Sequence, residues 1–271
     1  PPKHFLMGFA KVECYTDPVC LTNIIGVFMK LIALLGFFFS AAAYAGDAAS
    51  VYPVGFSPKG SYYAYYQAGI NDGSGFPYAE FNIVSVKQNK VLFSKFEHDD
   101  EGDYDTPENF IKDFSKNPEI LSAFKKYAIQ NSNEGFTVVD RLATDKSAAK
   151  KVEFALDGMV EGGSGPTFYH YTLKLKTKEV TPQEEGYCVV NPELLKVTLA
   201  SEKNGVAAPS IVLLNEKSLS EETKCAYNYN ISKVVVYNDS LVVFLSYNTT
   251  GFEGPDLRYR TVTLRQNLPI Q

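Results

Sequence analysis

Tryptophan is absent from the sequence, and its 271 residues include only three histidines and four cysteines. With no HExxH, no CxxC and no histidine pair at ligand spacing, there is nothing from which to assemble a zinc site. Basic residues are in deficit as well: 26 Lys and Arg face 31 Asp and Glu, a formal net charge of −5. An acidic surface repels phosphate backbones, and no basic stripe with interleaved aromatics offsets it, so nucleic acid is excluded as a partner. Walker-type and dinucleotide fingerprints are missing, because the glycines of GINDGSG (69–75) precede no helix. The string GGSGP (162–166) sets Ser164 among glycines, but Pro166 stands where a nucleophile elbow needs its last glycine. Ser164 therefore reads as a turn serine.

Rings are what the chain has in quantity, with 18 Tyr and 19 Phe in a sequence 45% hydrophobic. Such residues favour half-buried strands, and the content suffices for a substantial core. The stretch MKLIALLGFFFSAAAYAGDAAS (29–50) has one lysine, an apolar run and a small-residue ending at Ala43-Tyr44-Ala45. It reads as a secretory signal peptide over 29–45, removed after Ala45. A membrane anchor is the competing reading. Lys30 near the middle of the span would be costly, and an anchor leaves the A-x-A ending unexplained. No membrane span is expected once the leader is gone. Residues 1–28 read as an over-extended N-terminus upstream of a start at Met29, and 46–271 as a single β-rich exported domain. Cys188 and Cys225 are its only cysteines, and an even pair in an exported chain implies a disulfide.

One string recurs three times: GSGFPYAEFNIVSV (73–86), GGSGPTFYHYTLKL (162–175) and GFEGPDLRYRTVTL (251–264). Its prolines, Pro77, Pro166 and Pro255, stand at equal intervals of 89 residues. A strand-like segment precedes each loop, over 61–69, 150–158 and 240–248, so each unit reads as an antiparallel hairpin. Val84 and Val86, Leu173 and Leu175, and Val262 and Leu264 should face the core. Further strand candidates lie at 90–96, 135–143, 194–200, 210–215 and 230–237. A helical insertion over 106–130 interrupts them, with Thr106-Pro107 and Asn117-Pro118 starting two short helices. Phe110, Phe114, Ile120, Leu121 and Phe124 are its inward residues. The fold expected is mainly β, an assembly of antiparallel hairpin repeats, propeller-like because the period is about twice one blade; a β-sandwich is the alternative.

The turn in FSPKGSYYAYYQ (56–67) resembles the blade start of Tol-associated periplasmic propellers. FSPKGSYYAYYQAGINDGSGFPYAEFNIVSV (56–86) and LSYNTTGFEGPDLRYRTVTL (245–264) resemble the two signatures of a bacterial family of predicted secreted proteins with a domain of unknown function. The resemblance spans the chain beyond the leader. It implies export and a common fold, and it carries no catalytic residues.

Two acidic groupings are candidate sites. If the hairpin tips share one rim, Asp72, Glu161 and Glu253, joined by Asp256 and Arg258, would attract a cation, an amine or a basic partner. The run EHDDEGDYD (97–105) alternates Asp99, Glu101, Asp103 and Asp105 around Gly102, a possible cation loop that lacks calcium-hand spacing. No cofactor is expected, calcium being the one candidate. With no nucleophile, base or metal set, the chain reads as an exported, non-catalytic binding or interaction module of the periplasm or medium. Its partner would be an envelope protein or a small ligand. A hydrolase using paired carboxylates is the alternative.

Overall fold

A computed structural model describes residues 46–141, 149–158, 167–182 and 188–265. The chain first forms the antiparallel meander β1 (Ser50–Phe56), β2 (Tyr62–Ile70), β3 (Pro77–Ser85) and β4 (Lys90–His98), here sheet 1. Two short helices follow, α1 (Pro107–Phe114) and α2 (Pro118–Tyr127), and then β5 (Phe136–Asp140). Sheet 2 contains β6 (Lys151–Gly158), β7 (Thr167–Glu179), β8 (Glu193–Lys203), β9 (Val206–Ala207) and β10 (Ile211–Asn215). After a 3-10 turn at Glu221–Thr223, β11 (Tyr227–Tyr237), β12 (Ser240–Thr250) and β13 (Pro255–Arg265) join β5 in sheet 3, in the order β13-β12-β11-β5. No sheet closes into a barrel; the architecture is mainly β, with antiparallel sheets stacked as in a sandwich.

The stacking follows from which faces are apolar. In β12, Leu241, Val243 and Leu245 pack towards sheet 2, among Leu173, Leu175, Val197 and Leu199. The alternate residues Val242 and Phe244 pack towards sheet 1, among Phe56, Tyr63 and Tyr65. Sheet 3 is thus the middle layer, which explains why β12 is an unbroken apolar run rather than an alternating one. The other face of sheet 1, with Ala64, Tyr66, Phe81 and Ile83, is covered by Phe110, Phe114 and Ile120 of the helices. Each helix begins as its sequence requires. The Thr106 hydroxyl accepts from the Asn109 amide, the Asn117 side chain accepts from Glu119 at 2.9 Å, and proline holds the first helical position.

All three recurrent strings are hairpins, β2–β3, β6–β7 and β12–β13, closing at Ile70/Pro77, Gly158/Thr167 and Thr250/Pro255. Proline at the start of a return strand fits, since a missing N–H is tolerated at a strand end. Val84, Val86, Leu173, Leu175 and Val262 are buried, and Leu264 packs on the same core. Leu121 is a correction: it is 48% exposed. Ile120, Ala123, Phe124 and Tyr127 form the stripe that meets sheet 1, and Leu121, one residue past Ile120, lies 100° round the helix from that stripe. Strand β1, which ends at the FSPKG turn, was not anticipated.

Cys188 and Cys225 form the disulfide, with Cα atoms 5.2 Å apart. It ties the segment before β8 to the start of β11. Replacing both with alanine is expected to lower the unfolding free energy by about 2–4 kcal/mol, read from denaturant midpoints under non-reducing conditions. A change below about 1 kcal/mol would contradict this account of the loop.

Candidate functional site

Sheets 1 and 3 face each other unevenly. Towards one end of their interface the rings of Phe56, Tyr63, Tyr65 and Phe244 interlock with centroids 4.4–6.4 Å apart. Towards the β4 and β13 edges, polar side chains mix with tyrosines and a cleft of about 380 Å³ remains. Its sheet 1 wall carries two cross-strand rows, Tyr65–Asn82–Ser94 and Gln67–Glu80, whose members share a face because they are direct partners. Tyr247, Tyr259, Arg260 and Thr261 form the opposite wall. The 3-10 turn contributes Glu222 and Thr223, and the β3–β4 turn contributes Asn89 and Lys90.

Most polar groups in the cleft are held. Glu80 accepts from the Gln67 amide at 2.5 Å and from the Ser94 hydroxyl at 2.7 Å, while Gln67 Oε1 accepts from the Tyr259 amide at 3.0 Å, tying sheet 1 to sheet 3. Arg260 donates to Glu216 at 2.7 Å, and the other Glu216 oxygen accepts from the Leu195 amide at 2.9 Å. Burial works against the Arg260 charge, but Glu216 and Tyr229 outweigh it and hold the guanidinium firmly protonated. Burial, reinforced by the Glu80 carboxylate, raises the Tyr65 phenol, so it stays neutral. Asn82 differs. It is 3% exposed, it lines the cleft, and among the described residues nothing hydrogen-bonds its side-chain amide.

A second grouping lies at the β12–β13 end. Arg258 Nη2 donates to Asp47 Oδ2 at 2.8 Å and to Asp256 Oδ2 at 3.0 Å, and its guanidinium sits over the Tyr78 ring. The Tyr78 hydroxyl donates to the other Asp47 oxygen at 3.1 Å, and the Asp47 amide donates to Asp256 at 3.2 Å. Burial raises both carboxyls above the usual range, and Arg258 pulls each part of the way back. These carboxylates brace the segment before β1 against β13, where Ala49 N–H and Leu257 C=O also pair.

Residues 64–265 match a family described as a predicted secreted protein (DUF2259). The chain belongs to this family. The matched span takes in every strand residue lining the cleft, from Tyr65 to Thr261. No curated protein matches the chain. No helix among the described residues is long and apolar enough to cross a membrane.

Of the expected rim, Asp72 accepts from the Glu253 amide at 3.1 Å, so two hairpin tips meet. Asp256 and Arg258 are nearby but spent on Asp47, and Glu161 lies outside the described residues, as does Ser164. In the acidic loop, Asp99 turns inward. Its carboxylate accepts from the amides of Glu101, Gly102 and Tyr104. Burial pushes that carboxyl up, but the backbone donors win and hold it below the usual range. Glu101, Asp103 and Asp105 point to solvent, and among the described residues no three His, Cys, Asp or Glu side chains gather as metal ligands. The sequence reading missed the cleft residues. Their trace is Glu80 and Asn82 in PYAEFNIVS, two polar positions on the face that otherwise carries Tyr78 and Val84.

Proposed function

We propose that the chain is an exported, non-catalytic binding module of the bacterial envelope, with the cleft between sheets 1 and 3 as its binding site. One observation carries this reading: a concave, polar site onto which the Asn82 amide opens with no protein hydrogen bond among the described residues, the pattern of a site that can receive hydrogen bonds. The hydrolase alternative needs two carboxylates facing a substrate, at least one of them with a raised pKa. Asp47 and Asp256 are raised, but they lie outside the cleft and share one guanidinium. Capture of a partner or ligand from envelope extract by the exported chain, lost on Glu80→Ala, supports the reading. Turnover of a substrate that depends on Asp47 or Asp256 would replace it.

A second reading, an interaction surface for an envelope protein, draws on the tips. Asp72 and Glu253 sit together there beside Phe252, which is 83% exposed. The site-directed test is Phe252→Ser, which abolishes partner capture on this reading and leaves it intact if the cleft is responsible.

Export fits the leader-like segment and the family's description. N-terminal sequencing of the exported protein is expected to begin at Gly46. A membrane-held product that retains residues 31–45 would contradict the cleavage.

A further inference from the structure

We infer that the cleft takes a neutral, hydroxyl-rich small ligand, a saccharide of one or two rings, with Asn82 as its hydrogen-bonding anchor; this rests on the binding-module reading. Charge comes first. The lining holds two carboxylates, Glu80 and Glu222, and two cations, Lys90 and Arg260, so its formal charge is zero. Arg260 is already paired with Glu216, so its charge is balanced before any phosphate or carboxylate arrives. Glu80 is committed to Gln67 and Ser94, so it is no free counter-ion for an ammonium.

Hydrogen-bonding capacity comes next. An asparagine amide offers two donors and one acceptor, and each Glu80 oxygen, already accepting once, keeps acceptor capacity. A ligand group that both donates and accepts from one atom satisfies both needs, and a hydroxyl is that group. The Asn82 amide opens onto the cleft with no protein partner among the described residues, so its donors and acceptor are free for a ligand that displaces water. Shape agrees. The cleft is at the small end of ligand pockets, which span about 300–1,000 Å³, and Tyr65, Tyr247 and Tyr259 line it. Tyrosines bring an apolar body with a polar tip, suited to a sugar ring that is apolar on its faces and polar at its rim.

The test is calorimetric titration of the exported chain with neutral mono- and disaccharides, each paired with its uronic-acid and amino-sugar analogue. It is run on the native protein, on Asn82→Leu, and on Asn82→Ala in case leucine is not accommodated. A neutral saccharide is expected to bind more tightly than either charged analogue. Losing the anchor is expected to weaken it by at least about tenfold, while the thermal midpoint of Asn82→Leu does not fall. A structural asparagine would instead lower the midpoint and leave affinity alone. Tighter binding of a charged analogue, with the same dependence on Asn82, overturns the neutral-ligand inference and leaves the binding-module reading standing. No saccharide bound, or affinity indifferent to Asn82, also overturns the inference. Failure of the exported chain to capture anything from envelope extract is the separate result that overturns the reading itself.

Discussion

Replacing Arg258 with methionine is expected to lower the unfolding free energy by about 3–5 kcal/mol at pH 7, because it strands two carboxylates where little water reaches. Asp47 is 4% exposed, and the other donor to its carboxylate, the Tyr78 hydroxyl, supplies no positive charge. The dependence on pH gives the mechanism away. Both carboxyls are raised above their ordinary value of 3.8, by burial first, with Arg258 opposing. A group raised in the folded state stabilises fully below its unfolded pKa and loses that contribution as pH rises through the folded one. Without Arg258 the raised values climb further, so the deficit of Arg258→Met should be largest at neutral pH and shrink as pH falls towards about 4. Denaturant titrations at pH 4 and pH 7 measure it. A loss equal at both pH values would mean that Arg258 acts through its packing on Tyr78 alone.

Asn89→Ala should be of similar size for a different reason. Asn89 occupies the β3–β4 turn of sheet 1 with φ 51°, and its side chain reaches both other sheets. It donates to the Leu213 carbonyl of β10 at 3.1 Å and accepts from the Thr263 amide of β13 at 2.7 Å. Alanine removes both bonds, leaves a buried amide and a carbonyl unpaired at about 1–3 kcal/mol each, and must itself hold a left-handed backbone at about 1–2 kcal/mol. The expected loss is about 3–5 kcal/mol. Asn89→Gly should recover only the backbone part, about 1 kcal/mol. Equal stability of the alanine and glycine variants would show that the left-handed turn contributes nothing, and a loss below about 1 kcal/mol would refute the three-sheet staple.

Local features of this fold are readable in the sequence, because each is settled within a few residues. Pro77 and Pro255 open return strands, Thr106 and Asn117 cap helices, and the cysteine pair has no competitor beyond the leader. Leu121 failed because the stripe through Ile120, Ala123, Phe124 and Tyr127 runs along the other side of Ile120 and leaves Leu121 beyond its edge. The cleft is a different matter. Glu80 and Asn82 break an apolar face visibly, but what they face is decided by sheet stacking, which brings Tyr247 and Arg260 from more distant strands. Asp47 sits two residues past the expected cleavage point, in a stretch of small residues that marks no site. Its burial depends on Arg258, 211 residues away, and no local pattern signals such a pairing. The equal spacing of the three strings does mark equivalent hairpins. It does not mark equivalent places: β13 is an edge strand, whereas β3 and β7 have partners on both sides.

The central claim is that this exported chain binds a ligand between sheets 1 and 3. Backbone amide shift mapping of the exported chain, titrated with the tightest saccharide from the calorimetric panel, tests it most directly. The account requires the largest perturbations at Glu80, Asn82, Ser94, Tyr247 and Arg260, with the 71–76 and 251–254 tips undisturbed. Perturbations confined to those tips, or none in the cleft at saturating ligand, would contradict it.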